Sequence, residues 1–123
     1  MPSVTSYTAA AIDLMMASVT TITFNHLTEI DDYTLVATDV RKTILIENVD
    51  PNDFTVPPNS DVGIAIGSWV DVLVIGLGTT TFVPGAGVSI NTLHGLDSAG
   101  QNAAIRLVKT GTDDWYISGD LTT

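Results

Sequence analysis

The sequence predicts an all-β domain with the form of a β-sandwich or jelly roll, preceded by a short N-terminal helix or extended arm. Two observations support this class. Short runs of β-branched and aromatic residues recur with apolar side chains at alternate positions, which is the period of a strand. Gly and Pro separate these runs at close intervals, as turns between short strands require. We therefore expect residues 1–19 to form the arm and residues 20–123 to form the sandwich.

The N-terminal segment has the composition of a helix. Ser6 can serve as its N-cap, because the hydroxyl oxygen can accept a hydrogen bond from a free amide of the first turn. Ala, Leu and Met favour helix over residues 6–17, and apolar residues recur there at helical spacing. A helix of this length is marginal alone. We expect the segment, helical or extended, to pack on its own domain, a sister chain or a foreign surface.

From Thr20 onward the apolar period is two. We expect strands at residues 20–24, 33–37, 43–47, 62–66, 69–75, 79–83, 88–91, 103–109 and 115–118. The run at 69–75 is the strongest, but Asp71 lies on one of its faces, so we expect that face to be only partly buried. The run at 62–66 is weak because Gly63 interrupts it. The last two runs flank a Gly-containing turn at 110–114 and predict a hairpin.

Composition limits the possible functions. The net charge is −10, and the 123 residues include four Lys and Arg and no Cys. Nucleic-acid binding needs clustered cations, and so does binding to an anionic membrane, so we expect neither partner. Charged residues make up 15% of the chain, against about 25% in ordinary domains. With so few charged residues and 45% hydrophobic ones, the chain has apolar surface in excess, which predicts a subunit interface. The alternative is a surface of uncharged Thr, Ser and Asn.

The residues do not predict an enzyme, a cofactor or a metal site. His26 and His94 lack metal-ligand spacing, and the sequence has no Gly-x-Ser-x-Gly nucleophile motif. The glycine pairs at 76–78 and 85–87 are not followed by Gly-Lys-Ser/Thr, so we interpret them as turns. Adjacent acids at 31–32 and 113–114 point in different directions along a chain, and turn formation explains them.

Aromatic side chains raise the question of sugar binding. Trp69 begins a strand directly after Gly67 and Ser68, a position where its ring can be exposed for stacking on a glycan. Aromatic residues are, however, more often buried in the core. Trp115 and Tyr116 are adjacent on one strand, so we expect one in the core and the other at the surface or an interface.

Four segments resemble, in order and spacing, a β-domain that recurs in tailed-phage virion proteins, in fibres and in capsid-attached decorations. They are Tyr33-Thr-Leu-Val, Phe54-Thr-Val-Pro-Pro-Asn-Ser, Thr81-Phe-Val-Pro-Gly-Ala-Gly-Val-Ser-Ile-Asn and Asp114-Trp-Tyr-Ile-Ser-Gly-Asp-Leu. The resemblance implies an all-β, commonly trimeric domain with a structural role. Its matching positions imply scaffold residues rather than catalytic ones: Val56, Pro57, Pro58, Asn59, Gly67, Phe82, Gly85, Gly87, Gly111, Trp115, Gly119 and Asp120.

The chain has no shaft, collagen-like or coiled-coil region of the kind found in long fibre proteins. The resemblance then implies a capsid decoration (cement) protein on the outer surface of the virion, bound as a homotrimer to the major capsid protein. The alternative is a tail-fibre or spike module that binds host-surface glycan, with Trp69 as the candidate contact. The candidate attachment residues are the apolar side chains of the arm: Tyr7, Ile12, Leu14, Met15 and Met16.

Overall fold

The computed structural model describes the backbone of residues 24–28 and the whole of residues 32–123. The expected arm at 1–19 and most of the expected strand at 20–24 lie outside these residues. The strands are β1 (Phe24–Thr28), β2 (Asp32–Thr34), β3 (Thr43–Glu47), β4 (Asn52–Val56), β5 (Trp69–Val74), β6 (Thr80–Pro84), β7 (Ser89–Thr92), β8 (Ala103–Lys109) and β9 (Asp114–Gly119). They form two sheets, which confirms the predicted all-β sandwich class.

From β1 to β6 the chain follows a coiled path, and successive strands alternate between the two sheets. One sheet has six strands in the order β1-β3-β5-β8-β9-β7, and the other has three in the order β2-β4-β6. Strands β1, β3 and β5 are parallel neighbours, and so are β2, β4 and β6. From β1 to β6, each turn of the coil therefore adds one strand to each sheet, whereas β7, β8 and β9 all join the six-stranded sheet.

This pairing differs from that of the expected jelly roll, which is built from antiparallel strands. Among the described strands, β5–β8 and β8–β9 are antiparallel, and the other pairs are parallel. Side-chain alternation specifies which face of a strand is buried, and it leaves the direction of the neighbouring strand open. The β8–β9 pair is the hairpin that the turn at 110–114 predicted.

The core lies between the two sheets. Phe54 of β4 and Phe82 of β6 pack with their ring centroids 5.2 Å apart. The alternate valines of β5, at positions 70, 72 and 74, are buried, whereas Trp69, Asp71 and Leu73 are half-buried on the opposite face. The partial burial predicted for that face is therefore confirmed.

A buried carboxylate fixes the corner between β2 and β3, where a 3-10 turn covers Ala37–Asp39. The Tyr33 hydroxyl donates to Asp39 Oδ2 at 2.6 Å, and the Val36 amide donates to the same oxygen at 3.0 Å. Burial, together with the hydrogen bond to Asp39, raises the pKa of the Tyr33 phenol. The phenol therefore keeps its proton, and with it the hydrogen bond, throughout the physiological pH range.

The weak strand expected at 62–66 is wrong: these residues belong to the loop between β4 and β5. The Ile64 backbone forms hydrogen bonds with side chains there instead of with a neighbouring strand. Its amide donates to Asn59 Oδ1 at 3.4 Å, and its carbonyl accepts from Lys109 Nζ at 2.7 Å. Gly67 ends the loop with φ +92°, a conformation that glycine adopts without strain.

Two turns stack tightly at one end of the sandwich, the β3–β4 turn and the β5–β6 turn. The Gly78 amide donates to the Asn48 carbonyl at 2.9 Å, and the Gly76 amide donates to the Ile46 carbonyl at 3.1 Å. A Cβ atom on Gly76 would lie 2.2 Å from the Asn48 carbonyl oxygen. Any larger residue would therefore force the two turns apart.

We expect Gly76→Ala to lower the free energy of unfolding by about 1–3 kcal/mol, because backbone must move to admit the methyl group. The melting temperature should fall by roughly 5–15 °C in circular dichroism. Gly63→Ala is the matched control, since a Cβ there meets nothing within 4 Å. It should be neutral or slightly stabilising. Equal shifts for the two variants would contradict the tight stacking.

Candidate interaction surface

The outward side of the six-stranded sheet, here named the outer face, carries three rows of side chains that cross the strands. The first row contains Trp69, Val108 and Tyr116; the second contains Thr43, Asp71, Arg106 and Ser118; the third contains Leu45, Leu73 and Ala104. These residues alternate along each strand with buried ones, so strand geometry alone places them together. The first and third rows are apolar, and the second row, which lies between them, is polar.

A compensated ion pair occupies the centre of the outer face. Arg106 donates from Nε to Asp71 Oδ1 at 2.6 Å and from its terminal nitrogen to Oδ2 at 2.9 Å. The guanidinium carbon also lies 4.6 Å from the centroid of the Trp69 ring. The hydrogen bond to Asp71 raises the pKa of the Arg106 guanidinium, which stays cationic. An exposed pair of this kind adds little stability, but it fixes both side chains and cancels their charges.

An open groove of about 440 Å³ runs over the second and third rows. Its lining includes the charged pair Asp71 and Arg106 and the small residues Ala104, Ser118 and Gly119. Leu73 contributes an apolar wall. The outer face is thus recessed and mixed in polarity, which suits contact with another surface.

The outward side of the three-stranded sheet is acidic. The strand register sets Asp32 beside Asp53, and Asp53 beside Thr81. The Thr81 hydroxyl donates to Asp97 Oδ1 at 2.7 Å, which brings a third carboxylate to this side. No basic side chain lies on β2, β4 or β6. This side thus presents carboxylates and has no basic residue on its three strands.

The candidate glycan contact, Trp69, lies on the outer face and is half-buried, with the guanidinium of Arg106 over its ring. Trp115 is 1% exposed in the core, whereas Tyr116 is 41% exposed on the outer face, as alternation predicted. The candidate attachment residues lie outside the described residues: Tyr7, Ile12, Leu14, Met15 and Met16.

The two histidines lie on different parts of the fold. His94 lies beside a small pocket of about 130 Å³ that Tyr116 and Leu93 also line. For His26 the structure describes the backbone, within β1. Among the described residues, no three His, Cys, Asp or Glu side chains are grouped closely enough to hold a metal ion.

Sequence reasoning missed a buried lysine that joins two of the motifs. Lys109 is 2% exposed, and its Nζ donates to Asn59 Oδ1 and to the Ile64 carbonyl, each at 2.7 Å. The same nitrogen lies 6.0 Å from the centroid of the Trp115 ring. One signal was available, because alternation from Ala103 through Leu107 places position 109 on the inward side of β8. Lys109 thus links the Pro-Pro-Asn segment to the C-terminal Trp segment.

No model of a known protein family, no curated protein and no solved structure matches this chain. In the part of the chain that the structure describes, no helix is long and apolar enough to cross a membrane.

We expect Lys109→Met to lower the free energy of unfolding by about 1–3 kcal/mol, because the buried Ile64 carbonyl and the Asn59 side-chain oxygen both lose the hydrogen bond from Nζ. Urea unfolding followed by tryptophan fluorescence measures the change. Lys42→Met, at a half-buried position, is the matched control and should stay within about 0.5 kcal/mol of the wild type. A Lys109→Met variant as stable as the control would show that the buried hydrogen bonds contribute nothing.

Proposed function

We propose that this protein is a structural protein of a tailed-phage virion, namely a capsid decoration protein that binds the shell as a trimer and stabilises it. The observation that carries the proposal is the difference between its two sides. The outer face has a compensated ion pair at its centre and an apolar row on each side of it, whereas the opposite side presents Asp32, Asp53 and Asp97. A protein displayed on a particle needs one side for contacts within the assembly and one that stays soluble.

The motifs behind the family resemblance support a scaffold role. Asn59 accepts a hydrogen bond from buried Lys109, and Trp115 fills the core beside it. A Cβ atom on Gly85 would lie 2.9 Å from the Val56 carbonyl oxygen, and one on Gly119 would lie 2.3 Å from the Ala104 carbonyl oxygen. These positions hold strands and turns together, which favours a structural protein over an enzyme.

The proposed mechanism is stabilisation through preferential binding. A protein that binds the assembled lattice and not its separated subunits shifts the equilibrium towards the lattice by mass action. In a trimer, three attachment segments act together, so modest contacts produce firm binding through avidity. The segment at 1–19 is the proposed attachment element, with the major capsid protein as its partner.

The number of copies per purified particle tests the proposal. Quantitative mass spectrometry should give a fixed lattice ratio to the major capsid protein, because each equivalent site on the shell binds one trimer. Far fewer copies than shell subunits would overturn the decoration role and place the protein on the tail. The tail-fibre alternative, a glycan-binding module, rests on Trp69 beside the groove, and glycan binding lost in Trp69→Ala would support it.

The attachment element predicts a specific loss of particle binding. Leu14→Asp combined with Met15→Asp should weaken binding to undecorated particles by about tenfold or more, because each burial of a Leu or Met side chain contributes about 1.5–3 kcal/mol. Co-sedimentation with particles measures it. Ser3→Asp combined with Thr5→Asp adds the same charge at polar positions and should bind like the wild type. Equal binding of both double variants would exclude this segment as the anchor.

A further inference from the structure

The outer face has the composition of a subunit interface core. Such cores are enriched in Trp, Tyr and Arg and depleted in Lys, Asp and Glu. Trp69 and Tyr116 lie in the first row with Val108 between them, and Leu45 and Leu73 are neighbours in the third row. All of these side chains are partly accessible in the single chain. They would contribute apolar burial if another surface covered them.

Charge decides through which face two copies of this chain can meet. The chain carries a net charge of −10, so two copies repel each other over most of their surfaces. Contact through the opposite side would bring Asp32, Asp53 and Asp97 of two molecules together, at a cost in like-charge repulsion. On the outer face, the charges of Asp71 and Arg106 cancel within one chain. Glu47 and Asp114 lie at strand ends, on its margin.

We infer that a second copy of this chain covers the outer face, with Trp69, Leu73 and Val108 at the centre of the contact. The inference rests on the self-association in the proposed function and assigns it a surface. The Asp71–Arg106 pair enters the contact as a preformed neutral unit, and its carboxylate already has two hydrogen bonds. That arrangement reduces the penalty of burying either charge alone.

The test compares two lysine substitutions that change the net charge equally. Leu73→Lys places a charge in the third row of the outer face, and Val83→Lys places one at a half-buried position of β6, on the opposite side. Sedimentation velocity of the full chain should give a multiple of 13.0 kDa for the wild type and for Val83→Lys. Leu73→Lys should sediment as the 13.0 kDa monomer. Circular dichroism verifies that each variant is folded.

Ala104→Lys provides a second variant in case Leu73→Lys does not fold. Ala104 is exposed and lies opposite Leu73 on β8, so the substitution disturbs no core contact and should also give the monomer. Salt gives an independent readout for the wild type. Between about 0.01 and 0.15 M salt the Debye length falls from about 30 to about 8 Å, which screens the self-repulsion. Association through a compensated face should therefore strengthen as salt is added.

Three results would overturn the inference: a monomeric wild type, a multimeric Leu73→Lys or Ala104→Lys variant, or the same loss of association in Val83→Lys. Association that weakens steadily with salt would also overturn it, since that indicates contact between opposite charges. The proposed function fails separately, through the copy number on the particle. A multimer that uses the outer face and is absent from the shell would leave this inference standing while removing the decoration role.

Discussion

The close stacking of the β3–β4 and β5–β6 turns is the constraint on which the rest of the fold depends. Gly76 and Gly78 lie against the backbone of Asn48 and Asp50 with no space for a Cβ atom. Because each turn joins a strand of one sheet to a strand of the other, this one contact sets two registers together, β3 with β5 and β4 with β6. Once those registers are set, alternation determines which side chains reach the core and which reach each surface.

The opposite end of the sandwich is held differently, by a side chain instead of backbone contact. Lys109 extends from the end of β8 and donates hydrogen bonds to two oxygens of the loop between β4 and β5. These bonds hold the loop in place where no strand pairing does. The inward positions are then fully committed to packing. The outward positions are not constrained by core packing, and the two sheets differ there. One sheet presents Trp69 with a compensated charge pair, and the other presents carboxylates.

Alternation in the sequence was sufficient to predict the all-β class, the inward valines of β5, the C-terminal hairpin and the opposite fates of Trp115 and Tyr116. It could not predict the parallel winding, because the turns of the coil differ in length: Phe24 pairs with Thr43, whereas Thr43 pairs with Asp71. No regular repeat is then visible. The contact of Arg106 with Trp69 depends on the antiparallel pairing of β5 with β8, which alternation also leaves open. Attachment through residues 1–19 lies outside the described residues and stays a prediction.

The pairing pattern also has a consequence for the order of folding. The β8–β9 hairpin joins near neighbours in sequence, with Lys109 opposite Trp115, whereas each parallel pair joins strands separated by other strands of the chain. Closing long loops costs entropy before contacts form, so the hairpin can form early and at low cost. Yet β8 and β9 leave the ribosome after β1 to β7. The six-stranded sheet therefore cannot be completed during synthesis of its first strands, and the hydrogen-bonding edge of β5 stays unpaired until β8 has been made.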